Sequence, residues 1–84
     1  MVKIKYFARL GEALQSKEED IEFDSDNVTV ADVLDILRAR GEPWVSQFSS
    51  KGSVLMALNH EMCDSAAVIK SGDEIGFFPP VTGG

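Results

Sequence analysis

An α+β fold, one mixed sheet with a single main helix across one face, is what this sequence predicts, on three observations. Strand-like segments lie near both ends of the 84 residues, at Val2 to Arg9 and Glu74 to Phe78, each with apolar side chains at a period of two. Val30, Val33, Leu34 and Leu37 repeat at i, i+3, i+4 and i+7, a spacing that a helix gathers into one apolar stripe. The order strand, strand, helix, strand, short strand, strand leaves one helix to cover one sheet.

In the first segment Val2, Ile4, Tyr6 and Ala8 point one way and Lys3, Lys5, Phe7 and Arg9 the other, which leaves Phe7 on the polar side. Gly11 opens a connection. Ile21 and Phe23 then alternate with Glu22 and Asp24 in a second strand that pairs with the first as a hairpin. Asp26-Asn27 mark a turn, and Thr29 is a good N-cap with Asp32 three residues on, a variant of the capping box. The helix runs over residues 30–40. Arg38 and Arg40 fall in its last turn, where cations suit the dipole, and Gly41 is placed at C′. Pro43 opens a short helical turn carrying Trp44, Val45 and Phe48.

Ser49 to Ser53 reads as a loop, Val54 to Asn59 as an inner strand, and His60 to Ser65 as a turn. Ala66 to Ile69 adds a short strand, and Lys70 to Asp73 forms a tight turn. In the last strand Ile75 and Phe77 face inward, which sends Phe78 outward with Glu74. The first and last strands, both hydrophobic, are placed side by side in parallel at the centre, with the helix in the crossover. That topology is the ubiquitin-like β-grasp. Residues 1–78 form this domain and residues 79–84 a flexible tail.

A chain of this size buries only about 60–65% of its unfolded surface, so one small core is expected. A formal charge of −6 argues against binding nucleic acid or an anionic membrane through phosphates, and suits docking onto a basic partner. No apolar run approaches the ~20 residues of a membrane span. No export signal is read at the N-terminus, so cytoplasmic residence is the expectation. The acidic stretch Glu18, Glu19, Asp20, Glu22, Asp24, Asp26 reads first as a solvated edge strand kept from aggregating by its charge, with recognition by a basic partner as the alternative.

Catalytic chemistry is hard to assemble. His60 is the single histidine and Cys63 the single cysteine, so any nucleophile with its base hangs on one residue of each type. Nothing cationic beside Cys63 in sequence lowers its pKa. No glycine loop leads into Lys-Ser/Thr to hold a phosphate. The acidic stretch, being strand-like, splits its carboxylates between two faces, and metal is not expected.

The ending Pro79-Pro80-Val81-Thr82-Gly83-Gly84 is the unusual feature. Prolines lack a donor and stop the strand, and glycines are costly to order. A terminal glycine pair arises by chance in roughly one chain in two hundred at average usage, so a frayed end competes with a flexible arm whose carboxylate reacts. Phe7 and Phe78 fall together on the outer face, with Met62 in the turn after the third strand beside them. Clustered near a tail they suggest a docking patch; cover by the chain's own loops is the other reading.

The run Ser71 to Gly84, with its Phe77-Phe78-Pro79-Pro80-Val81-Thr82-Gly83-Gly84 ending, closely resembles the C-terminus of the small, sulfur-carrying subunits of molybdopterin synthase. Tyr6-Phe7-Ala8-Arg9 and Ala57-Leu58-Asn59 share the likeness, which spans nearly the whole length; Gln15 to Lys17 and the surroundings of Trp44 match no such motif. The resemblance implies that Gly84 is adenylated with ATP by a ubiquitin-activating-type adenylyltransferase and then converted to a thiocarboxylate. It further implies that the tail enters a large subunit, in a heterotetramer, and donates sulfur to cyclic pyranopterin monophosphate. On that likeness Gly84 carries the sulfur and Gly83 gives it access. Phe7, Met62, Phe78, Pro79, Pro80, Val81 and Thr82 meet the partner, catalytic side chains belong to the large subunit, and this chain binds no cofactor.

Such a tail, extended, reaches roughly 20 Å. Proline stiffness limits the entropy lost on insertion, and glycine suits a channel too narrow for a Cβ. A sulfur carrier for thiamine or tRNA thiolation, a ubiquitin-like modifier joined to lysines through Gly84, and a plain binding module with an incidental tail are the alternatives.

Overall fold

The computed structural model describes residues 1–23, 27–48 and 54–79. Strands β1 (Val2–Tyr6), β2 (Glu18–Ile21), β3 (Leu55–Leu58), β4 (Glu61–Cys63) and β5 (Glu74–Phe78) form one sheet in the order β2-β1-β5-β3-β4. Helices α1 (Ala8–Leu14), α2 (Val30–Arg38) and α3 (Trp44–Gln47) complete the fold. β1 and β5 are parallel central neighbours, and every other pairing is antiparallel. This is the β-grasp arrangement read from the sequence.

Sequence parity sets the two faces of the sheet. Val2, Ile4 and Tyr6 of β1 and Ile75 and Phe77 of β5 are buried against Val30, Val33, Leu34 and Leu37, the stripe of α2. Phe48 and Leu10 close the core. At ~1.5–3 kcal/mol for each fully buried apolar side chain, this cluster is the main favourable term in folding. Thr29 caps α2 as expected: its hydroxyl accepts from the Asp32 amide, and its own amide donates to the Asp32 carboxylate at 2.9 Å.

Five expectations need correction. β1 stops at Tyr6, and Ala8, Arg9 and Gly11 belong to α1 rather than to a strand and a connection. Gly11 sits inside this helix because the helix presses on the end of β1, where a Cβ would lie 2.7 Å from the Tyr6 carbonyl oxygen. The second strand is Glu18–Ile21, so Phe23 lies beyond it and Asp24 outside the described residues. Helix α2 ends at Arg38 with Ala39 as C-cap, and Gly41 (φ 88°) lies two residues further on.

Residues 61–63, expected to form part of a turn, are β4; the turn is the pair Asn59-His60, at φ 50° and 72°, the positive values that a two-residue hairpin demands. Ala66 to Ile69 contributes only an isolated bridge between Val68 and Thr29. The short helix after Pro43 and the turn Lys70–Asp73 stand where the sequence put them, the latter closed by an Asp73 amide to Lys70 carbonyl bond of 3.0 Å. Asp26 and the loop at residues 49–53 lie outside the described residues. No helix among the described residues is long and apolar enough to cross a membrane.

Candidate functional site on the open sheet face

The helices cover one face of the sheet, and the odd-parity side chains of β1 define the other. Across it Lys5 stands in register with Gly76, Gly76 with Ala57, and Ala57 with Met62. In the next row Phe78 is paired with Leu55. Phe7, one residue beyond β1, has extended backbone, and its amide donates to the Phe77 carbonyl at 3.0 Å. The alternation therefore continues one residue past the strand, and the Phe7 ring emerges beside β5.

Phe7 and Phe78 stack with ring centroids 4.6 Å apart and planes 8° from parallel. The offset stacking that such a separation allows is a favoured aromatic geometry. Phe7 keeps 38% of its surface exposed, Leu55 39% and Met62 64%. These four side chains, with Gly76 and Ala57 between them, form an apolar band on the open face. Lys5–Glu74 (3.6 Å) and Lys3–Glu18 (3.7 Å) ion pairs lie alongside it. Met62 projects from β4 rather than from a turn, and shares this face through its pairing with Ala57.

Gly76 is the member of this group that sequence reasoning does not single out. Its missing Cβ leaves room for the aromatic rings, since a methyl there would stand 2.9 Å from Phe7 Cε2. A glycine in the middle of a central strand, beside an outward-facing phenylalanine, is the signal that could have found it. Pro79 follows Phe78 directly and is half-buried, and residues 80–84, including Pro80, Val81, Thr82, Gly83 and Gly84, lie outside the described residues.

Behind β1 a polar cluster fixes the edge strand. Pairing with Ile4 turns Glu19 toward the helical side, so this member of the acidic stretch is not solvated like Glu18 and Asp20. Arg40 donates to Glu19 through both terminal nitrogens at 2.7 Å, and the Tyr6 hydroxyl donates to it at 2.8 Å. Arg40 also lies 4.5 Å from the Trp44 ring centroid. Hydrogen bonding from Arg40 holds the Glu19 carboxyl below the usual carboxylate range, against the opposing effect of burial. Burial, and then the bond to Glu19, push the Tyr6 hydroxyl above the usual phenol range. With its hydrogen bonds made inside the cluster, this is an anchor.

Among the described residues, acid–base or nucleophilic chemistry finds little support. Burial, reinforced by Asp64, pushes the Cys63 thiol up, which disfavours the reactive thiolate. The His60 side chain is 83% exposed and its nearest carboxylate is that of Glu74, at 3.6 Å. Among the described residues no group of three or more His, Cys, Asp or Glu is placed to hold a metal ion. A groove of about 580 Å³ opens beside Phe7, between α1 and the start of β2, with Lys5, Gly11, Gln15 and Lys17 in its walls. What the open face offers is an apolar band beside Pro79, the last of the described residues.

Comparison with known proteins gives consistent matches. The model of the ThiS family matches residues 4–84. The molybdopterin synthase sulfur carrier subunit of Haemophilus influenzae is 34% identical over 84 residues, covering 100% of both chains. Among solved structures, SAMP1 from Haloferax volcanii superposes with a TM-score of 0.76 at 31% identity, covering 99% of this chain and 98% of that one. A putative molybdopterin converting factor, subunit 1, from Pyrococcus furiosus has a TM-score of 0.75 at 31% identity, covering 95% and 97%.

Proposed function

The chain belongs to the ThiS family, and from that premise we propose that it is the small, sulfur-carrying subunit of a molybdopterin synthase. The observation that carries this reading is the end-to-end likeness to a sulfur carrier subunit, in a chain whose sequence runs from a partly exposed aromatic stack through Pro79 to Thr82 into Gly83-Gly84.

On this proposal the Gly84 carboxylate is the reactive group. A carboxylate is a poor acyl donor until an oxygen becomes a good leaving group. An adenylyltransferase of the ubiquitin-activating type therefore joins it to AMP from ATP, with release of pyrophosphate. Sulfide from a sulfur donor then attacks the acyl carbon, the bond to AMP breaks and AMP leaves, and the product is a thiocarboxylate, an anionic and polarizable nucleophile tethered to a recognisable protein. The domain, residues 1–78, docks on the large subunit through Phe7, Met62 and Phe78. Pro79 to Thr82 thread the tail, and Gly83 and Gly84 pass where a Cβ would not. The sulfur is thereby held close to a pterin precursor instead of being released as sulfide. The assembly is a heterotetramer in the cytoplasm, the large subunit supplies the catalytic side chains, and this chain holds no cofactor of its own.

The test is a chain extended by one or more residues after Gly84, supplied to cells deficient in the small subunit. Loss of molybdopterin synthesis with an unchanged fold is expected. Synthesis at the wild-type level with the extended chain would refute the proposal. The likeness to SAMP1, a small archaeal modifier protein, favours a second reading, in which this chain is a modifier joined through Gly84 to lysines of other proteins. Isopeptide-linked species on a denaturing gel are its mark.

A further inference from the structure

We infer that Gly76 is a positioning residue: it seats the Phe7 ring flat on β5, and by fixing the Phe7–Phe78 stack it sets the affinity of the open face for the large subunit. The effect on affinity rests on the function proposed above. The seating of the ring does not.

Two other glycines of the described chain, Gly41 and Gly72, show by contrast what Gly76 does. Gly41 and Gly72 adopt φ of 88° and 93°, and a Cβ on either would meet nothing within 4 Å. Their requirement is conformational. Gly76 has no positive φ, is buried, and lies at the middle of central strand β5, where glycine weakens a strand and leaves no side chain to pack. A Cβ on it would lie 2.9 Å and 3.6 Å from two carbons of the Phe7 ring and 3.5 Å from one of the Phe78 ring. All three nearest atoms belong to those rings, and none to the backbone. The space that a Cβ would take at position 76 is taken by the aromatic pair.

The register extends the point. Ala57, the neighbour of Gly76 on β3, is also small, so the row beside the rings is low. A ring lying on this floor can offer its outer side to a partner while its inner side excludes water from the strand. Two stacked rings with few torsions between them lose little freedom on docking. A methyl at position 76 forces the Phe7 ring to shift from its seat, which disturbs the near-parallel 4.6 Å stack. The partner then has to reorder the ring.

The experiment compares wild type with Gly76→Ala, Phe7→Ala and the double variant. Ring-to-ring nuclear Overhauser contacts between Phe7 and Phe78 report seating in the free chain, and calorimetric titration with the purified large subunit reports affinity. For Gly76→Ala we expect an intact fold, weakened ring-to-ring contacts and affinity lowered by up to about ten-fold, toward that of Phe7→Ala. The double variant should bind no more weakly than Phe7→Ala alone, because both changes remove the same seated ring. Retention of the native ring contacts in Gly76→Ala overturns the seating. If Phe7→Ala binds like wild type, the effect on affinity and the docking role of the face both fall, while the ring contacts still decide the seating. Should Gly76→Ala not fold, the double variant is decisive. Recovery of the fold there supports a collision with Phe7, and continued unfolding overturns it.

Discussion

Replacing Glu19 by alanine removes the acceptor at the centre of the cluster behind β1 and is expected to destabilise the domain by about 2–4 kcal/mol. The buried Tyr6 hydroxyl, which donates to Glu19 at 2.8 Å, loses its acceptor, at about 1–3 kcal/mol. The bidentate pair with Arg40 adds less, because the Arg40 and Glu19 side chains are 33% and 23% exposed and partly screened; about 1 kcal/mol is a reasonable share. At roughly 4–8 °C per kcal/mol for a domain of this size, Tm should fall by about 10–30 °C. Thermal and urea unfolding followed by circular dichroism at neutral pH measure it, with Tyr6→Phe as the reference that removes the hydroxyl alone. A Glu19→Ala chain within about 0.5 kcal/mol of wild type, the range of inert surface changes, would refute the anchoring role. The pH dependence has a definite sign. The folded-state pKa of Glu19 is lowered, so its ionised form contributes fully above the ordinary glutamate value of about 4.3, and the contribution disappears as pH falls through the lowered value. The advantage of wild type over Glu19→Gln should therefore be flat near neutrality and shrink in acid.

Two further outcomes follow from local geometry. His60 takes φ 72° as the second residue of a two-residue hairpin turn, so His60→Gly is expected to stabilise by up to about 1 kcal/mol, read as a Tm increase of a few degrees; an unchanged or lower Tm would contradict the turn assignment. Cys63, whose thiol is pushed up by burial and Asp64, should react with iodoacetamide at neutral pH more slowly than a cysteine in an unstructured peptide, and an equal rate would contradict its packing against the core.

The features legible in the sequence were those with a local signal. The stripe of α2, the Thr29 capping box and the parity of β1 and β5 each depend on residues a few positions apart, and each is present in the fold. Parity also sent Phe7 and Phe78 to the open face, where they stack. What sequence did not reveal was decided by contacts between distant segments. Helix α1 shows only Leu10 and Leu14 as an apolar pair and carries Gly11, which reads as a break until β1 is placed beneath it. Strand β4 is short, and pairing with β3 gives it its form. Glu19 reads as solvated because its charge outweighs the register that turns it inward toward Arg40. Gly76 reads as an ordinary strand residue, because the ring that needs its space comes from Phe7, just past the end of the neighbouring strand β1.

On the function proposed above, the reactive group of this protein is the carboxylate of Gly84. The intact mass of the chain, purified from cells that also produce an active adenylyltransferase and a sulfur donor, tests it most directly. A species heavier by one sulfur in place of one oxygen is expected, with the change mapped to Gly84 and lost in a chain that ends at Gly83. A chain of unaltered mass under those conditions would contradict it.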